Sequence, residues 1–344
     1  MTGVKDWAAR GRLRGWGGVT GMAVACALTA SLTLLPLSRG GAGPFGVNTA
    51  GPGTASAVPA RADACTDPEA SLPPSSAGGP SIEKIRKRGK LIAGVDQNSF
   101  RWGYRNPDTG TLEGFDIDLV RAIAGNILGD PDAVIFRAIP TNQRIAALEH
   151  DRVDVVVRTM TINCKRLDQV SFSTAYFQAG QQVLAPKESA ITGYDSSLKG
   201  KRVCTAEGST AYEALEKQSY GAVFKDESEG TERDKDQLTV PNQLDCLVRL
   251  QLGEVDAVVT DNALAAGQAA QDPAVVLKGA PFTTEYYGVA TKKGANDLVA
   301  RVNSVLDDYR RGGTDSDWMV SYREWLATGL PGIKAPPAPK YRSN

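Results

Sequence analysis

From Phe115 onward, apolar side chains fall at positions 115, 119, 120, 123, 124, 127 and 128. That spacing marks one face of an α-helix. Before it, a helix-like segment (Ser81–Arg88) leads through Gly89-Lys90 into the apolar run Leu91-Ile92-Ala93-Gly94-Val95, which reads as a buried strand. A turn follows at Asn106-Pro107-Asp108-Thr109-Gly110, a stretch rich in turn formers. Val134–Ile139 alternates as a second strand and Gln143–Leu148 as a helix. Leu148-Glu149-His150-Asp151-Arg152-Val153-Asp154-Val155-Val156-Val157 then reappears, offset by 102 residues, as Leu250-Gln251-Leu252-Gly253-Glu254-Val255-Asp256-Ala257-Val258-Val259. Each copy is a helix end, a tight turn and a β-branched strand. The chain therefore reads as an α/β protein that builds a similar lobe twice.

The N-terminal pattern differs. Lys5, Arg10, Arg12 and Arg14 precede an uncharged stretch, Gly15–Ser38, that is mostly apolar over 19–37. Nineteen helical residues span about 28 Å, close to the hydrocarbon thickness of a bilayer. Basic residues ahead of it hold that end (1–18) in the cytoplasm and send the rest across. The segment is an uncleaved signal anchor, a lipoprotein signal built on Cys26, or a cleaved signal. All three place the body outside the cytoplasm, anchored to the membrane face or secreted. Gly, Pro, Ala, Ser and Thr make up 32 of the 43 residues from 38 to 80, a composition expected to form a disordered tether. The stretch 329–344, with four Pro in its last fifteen residues, reads as a disordered tail.

Charge and cysteine usage narrow the chemistry. The chain has 39 basic and 39 acidic side chains, and the body after residue 80 holds 33 and 35 of them, so there is no basic field to track a nucleic acid. With one histidine, His150, and no C-x-x-C pair, zinc and dithiol redox chemistry are excluded, and no cofactor is expected. Cys65, Cys164, Cys204 and Cys246 remain outside the apolar segment, and in an oxidising compartment they allow two disulfides in three pairings.

Ligands of open α/β sheets gather beyond the carboxyl ends of strands. Here those ends carry Asp96 after Leu91–Val95, then Arg158, Thr159, Thr161, Lys165 and Arg166 after Val155–Val157. Glu207-Gly208-Ser209-Thr210 follow Val203–Thr205, and Asp261 follows Val258–Val259. Cations, anions and hydroxyls at one edge are what a zwitterion requires. Gly208-Ser209-Thr210 opens a helix at Ala211, so its N–H groups suit an anion, while Ser209 or Thr210 also fits a plain N-cap.

Gly114-Phe115-Asp116-Ile117-Asp118-Leu119, continuing to Ile127, resembles the signature of family 3 extracellular solute-binding proteins, the amino-acid receptors of ABC importers. Thr159-Met160-Thr161-Ile162 through Arg166, Leu198-Lys199-Gly200-Lys201, Glu207-Gly208-Ser209-Thr210 and Glu285-Tyr286-Tyr287-Gly288 follow in the family's order over roughly 81–328. The resemblance implies a two-lobed type II periplasmic-binding-protein fold with a hinged cleft. Lobe 1 would comprise 81–185 and 282–328, and lobe 2 would comprise 186–281, with hinges at Ala179–Pro186 and Lys278–Thr284. It further implies that Arg166 grips an α-carboxylate, Thr159 and Thr161 line the main-chain site, Gly208, Ser209 and Thr210 add donors, and Asp261 takes the α-ammonium.

Thr141-Asn142-Gln143-Arg144-Ile145 resembles the glutamate and aspartate receptors, with Arg144 facing a side-chain carboxylate. Asp96 resembles glutamine receptors instead, and Arg101 and Arg158 stand near in sequence as further positive charge. The expected ligand is glutamate first, with glutamine, aspartate or asparagine as alternatives. The implied partners are ABC permease subunits or a membrane sensor, and the protein is expected to be a monomer. A dehydratase-like enzyme on the same fold is the remaining alternative, and the reading taken is a binding protein, not an enzyme. Within the implied lobes Cys204 and Cys246 fall together, which favours that pair and leaves Cys65 with Cys164.

Overall fold

A computed structural model describes residues 65–225 and 238–343. Two five-stranded sheets organise them. The first runs in the order Val134–Ala138, Leu91–Val95, Val155–Val156, Ala290–Lys292, Val170–Phe172. Leu91–Val95 lies parallel to Val134–Ala138 and Val155–Val156, whereas Ala290–Lys292 pairs antiparallel with both of its neighbours. The second runs Thr239–Val240, Val203–Ala206, Ala257–Asp261, Gln181–Pro186, Val275–Lys278. Here Val203–Ala206 is parallel to both its neighbours, and Gln181–Pro186, first of this sheet in sequence, is antiparallel to both of its own. The protein is thus a two-lobed α/β molecule, each lobe having one mixed sheet with parallel strands of near-continuous apolar sequence, as burial on both faces demands.

The helical face read from the sequence is the buried one. In the helix Phe115–Leu128, residues Phe115, Leu119, Val120, Ile123, Ala124 and Ile127 are buried against the first sheet's core. That core gathers Trp102, Phe115, Tyr176, Phe177, Tyr287 and Trp318, whose rings meet edge-on or stacked. The second lobe has a cluster on each face of its sheet, one around Val183, Val203 and Val259, the other around Leu184, Val258 and Leu247.

The lobes are joined by the antiparallel pair Phe177–Ala179 and Glu285–Tyr287. Gly180 lies just beyond it, and a Cβ there would sit 2.3 Å from the Thr283 carbonyl oxygen, so only glycine lets the two crossing segments approach this closely. Gln181–Pro186, placed in the first lobe by the sequence boundary at 185/186, is a strand of the second sheet. Burial on both sides of such a strand leaves no alternation to say which sheet it joins.

The expected tail 329–344 and the last part of the expected tether 38–80 prove ordered where described, while residues 38–64 lie outside the described residues. Residues 65–80 strap across the first lobe. Ser71 is buried, donates from its hydroxyl to the Phe172 carbonyl at 2.7 Å, and accepts from Asn303 Nδ2 at 3.0 Å. Residues 329–343 return along the same strap, pairing Ser71 with Tyr341 in a parallel bridge, with Lys340 near Asp67 and Glu69 at 3.1 and 3.2 Å. Neither segment has helical or alternating periodicity; each is held by its backbone groups and by the helix Asn296–Arg310 beneath. The disulfides join Cys65 to Cys164 and Cys204 to Cys246, so the strap is tied at Cys65 to the start of the short helix that carries Arg166. The apolar segment 19–37 lies outside the described residues. Among the described residues no helix is long and apolar enough to cross a membrane.

Candidate functional site

The strand ends of both sheets face each other across a cleft that is closed. Asn142 Nδ2 donates to Glu207 Oε2 at 2.6 Å, Thr141 N to the Pro241 carbonyl at 3.0 Å, and Lys165 pairs with Glu213 at 2.8 Å, each from one lobe to the other. Between them lies a small cavity. Asp96, Arg144, Thr159, Thr161, Arg166, Ser209, Thr210 and Asp261 line it, so eight of the ten expected residues meet in one place.

The other two differ. Gly208 contributes its carbonyl, which accepts from Arg144 NH2 at 3.3 Å and from Arg166 NH2 at 3.1 Å across the cleft. Arg101 is corrected: its guanidinium lies over the Phe100 ring at 5.2 Å and lines a separate hollow with Trp325 and Gly329. Arg101 also has φ of 68°, in the left-handed region. Arg158 stands in the wall instead, bonded to Asp96 Oδ2 at 2.9 Å with both side chains buried.

Each charged wall group is placed by local chain geometry. Arg166 follows Asn163, whose side chain caps the short helix Cys164–Leu167 by accepting from Arg166 N at 2.9 Å. Its guanidinium donates to the Thr161 carbonyl at 2.7 Å. Arg144 opens the helix Arg144–Glu149 and donates to the carbonyls of Thr141 and Arg158, at 2.9 and 3.3 Å. Ser209 proves to be an N-cap, accepting from Tyr212 N at 3.1 Å, while it also faces the cavity. Asp261 occupies the N-cap position of Asn262–Gln271 but makes no capping bond. Its carboxylate turns inward, accepting from Gln181 Nε2 and from the hinge hydroxyl of Tyr287.

Asp116, from the recognised helical motif, stands behind the wall. Its carboxylate accepts from Tyr176 OH at 2.8 Å and Thr159 N at 3.2 Å, holding Thr159 at φ 42°. This is a conformation that a β-branched residue keeps only when its surroundings enforce it.

Burial sets the electrostatics. It pushes the Asp261 carboxyl up to about 7, with Glu285's charge adding to the rise and Tyr287, Arg166 and Arg144 opposing it. Burial likewise raises Asp116 to about 7, against the Tyr176 and Thr159 bonds. Arg144 is held well below its usual value by burial and then by the neighbouring Arg166 and Arg158. With Asp96 neutralising Arg158, the cavity retains Arg144 and Arg166 against Asp261. Both free arginines are bonded only to neutral carbonyls, and a buried guanidinium gains more from a carboxylate. The cavity therefore brings both signs of charge together in one small space.

Thr141, Gln243 and Leu264 also line the cavity. Leu264 lies one helical turn beyond Asp261, a spacing that could have marked it. Gln243, first in the helix Gln243–Gln251, carries no such signal.

Two hinged lobes closed over a small polar cavity define a receptor for a small solute. The chain belongs to the bacterial extracellular solute-binding proteins, family 3, which matches residues 91–326. It is 33% identical over 246 residues to the glutamine-binding protein of an ABC transporter from Bacillus subtilis, covering 72% of this chain and 84% of that one. It is 37% identical over 219 residues to the glutamine-binding protein of Geobacillus stearothermophilus, covering 64% and 79%. Among solved structures, an ancestral arginine-binding protein bound to glutamine matches at 33% identity and a TM-score of 0.60, over 70% of this chain and all but 2% of that one (98% covered). ArgBP from T. maritima, as a mutant, matches at 27% identity and a TM-score of 0.63, over 72% and 100%.

Proposed function

We propose that the protein captures an L-amino acid outside the cytoplasm and delivers it to an ABC permease, acting as a binding protein and not an enzyme. The observation that carries this reading is Arg166 and Asp261 lining one closed cavity from opposite lobes. Arg166 holds the α-carboxylate, Asp261 the α-ammonium, and Thr159, Thr161, Ser209 and Thr210 supply neutral contacts. Arg144 receives the oxygen of a side-chain carboxylate or amide. The unpaired positive charge of the cavity favours glutamate, since a bound zwitterion alone leaves one guanidinium without an anion. The identity to two glutamine-binding relatives supports a second ligand, glutamine.

Calorimetry of the full chain with a panel of L-amino acids tests the reading. Glutamate and glutamine should bind, and Arg144→Ala should weaken glutamate more than glutamine. Binding of sugars or metal ions alone would reject it.

A further inference from the structure

The cavity does not end at Gln243 and Leu264. Both also line an adjoining narrow hollow between the lobes. Asn98, Phe100, Leu244 and Gln271 are shared in turn by this hollow and a larger open groove. Shared lining residues thus set a charged chamber, a narrow passage whose lining side chains are all uncharged, and a surface groove side by side.

The passage has a built polar wall. Gln268 is 4% exposed and Gln243 6% exposed, and the Oε1 atom of each is buried without a hydrogen-bond partner. Gln268 Nε2 donates to the Gln243 carbonyl at 2.7 Å, which fixes that amide's orientation and leaves its Oε1 as an acceptor. A buried acceptor without a donor is costly, so two such atoms along one passage point to a ligand that brings N–H groups.

We infer that this passage is an outer side-chain subsite for γ-amides, including glutamines substituted on the amide nitrogen. The amide N–H meets the Gln243 and Gln268 carbonyl oxygens, and a small neutral substituent leads out past Phe100 and Leu244 towards the groove. A γ-carboxylate would set its charge against the same oxygens, so it stays further in, at Arg144. The inference rests on the zwitterion reading of Arg166 and Asp261.

N5-ethyl-L-glutamine is the probe. Calorimetry on the full chain should give it a Kd within about tenfold of that for L-glutamine, with each ligand displacing the other. Gln268→Leu, checked for folding by its melting transition, should lower the glutamine-to-glutamate affinity ratio by about tenfold. If L-glutamine and L-glutamate bind but N5-ethyl-L-glutamine does not, the passage is closed to substituents and the inference falls while the zwitterion reading stands. An unchanged ratio in a folded Gln268→Leu protein would mean that water serves these acceptors, and would also overturn it. If no L-amino acid binds, the zwitterion reading fails and the subsite with it.

Discussion

Replacing Gly208 by alanine separates two costs that meet at one residue of the closed cleft. Gly208 has φ of 72°, and an added Cβ would lie 3.0 Å from Asn142 Cα and 3.3 Å from Asn142 Cβ, across the cleft in the other lobe. The left-handed backbone costs an alanine roughly 1–2 kcal/mol whether the lobes are open or closed. It therefore lowers the melting temperature and cancels from binding. The contact with Asn142 exists only in the closed form, and overpacking against backbone costs about 1–3 kcal/mol. Closure holds the ligand, so Kd should rise by roughly 5- to 150-fold. Gly200→Ala supplies the control, because Gly200 has φ of 70° with nothing within 4 Å of the new Cβ. It should lose comparable stability and keep the native Kd. Calorimetry with L-glutamate and L-glutamine, beside thermal melts of both variants, reads the two effects apart. If Gly208→Ala binds within twofold of the native protein while melting lower, the closed geometry is not the liganded one and the reasoning fails.

Arg166→Ala and Asp261→Ala should each weaken amino-acid binding by two orders of magnitude or more, about 3 kcal/mol, because each leaves its ligand partner charge buried and unpaired; calorimetric titration decides. Asp261 must be ionised to hold an ammonium, and its carboxyl is pushed up to about 7. Binding below that pH therefore expels a proton, so affinity should rise with pH, by at most about tenfold per unit, and level off above it. Kd measured from pH 5 to 8 checks this, and a flat profile contradicts it. Asp116 is also pushed up to about 7, from an ordinary 3.8, so the folded protein holds a proton there that the unfolded chain releases. Stability from this group is present at low pH and is lost as pH rises through 7, by up to about 1.4 kcal/mol per unit. The melting-temperature gain on acidification from pH 7.5 to 5 should shrink in Asp116→Asn. Replacing Cys204 and Cys246 by serine frees a loop spanning 42 residues and should cost roughly 3–4 kcal/mol by the chain-entropy argument, read by denaturant unfolding.

What the sequence determined by itself is what neighbours along the chain decide. The 3.6-residue rhythm from Phe115 and the apolar runs at Leu91 and Val203 specify helix and strands, because side chains three or four apart share a helix face. The residues just past those strands collect at the carboxyl edge of a parallel sheet, which is why Asp96, Thr159, Arg166, Ser209 and Asp261 could be named before their partners were known. Tertiary structure alone decided how those ends meet. Arg158 and not Arg101 neutralises Asp96, since the Arg101 guanidinium lies over Phe100 in a separate hollow. Gln243 enters the wall through the packing of its helix against the opposite lobe. The strap 65–80 and the tail 329–343 stay ordered because they pair at Ser71 and the strap docks on the helix Asn296–Arg310, contacts that no local pattern in either segment encodes. Which sheet receives Gln181–Pro186 was settled by pairing between segments about 75 residues apart, such as Leu184 with Val258, and a strand buried on both faces carries no local mark of its neighbours.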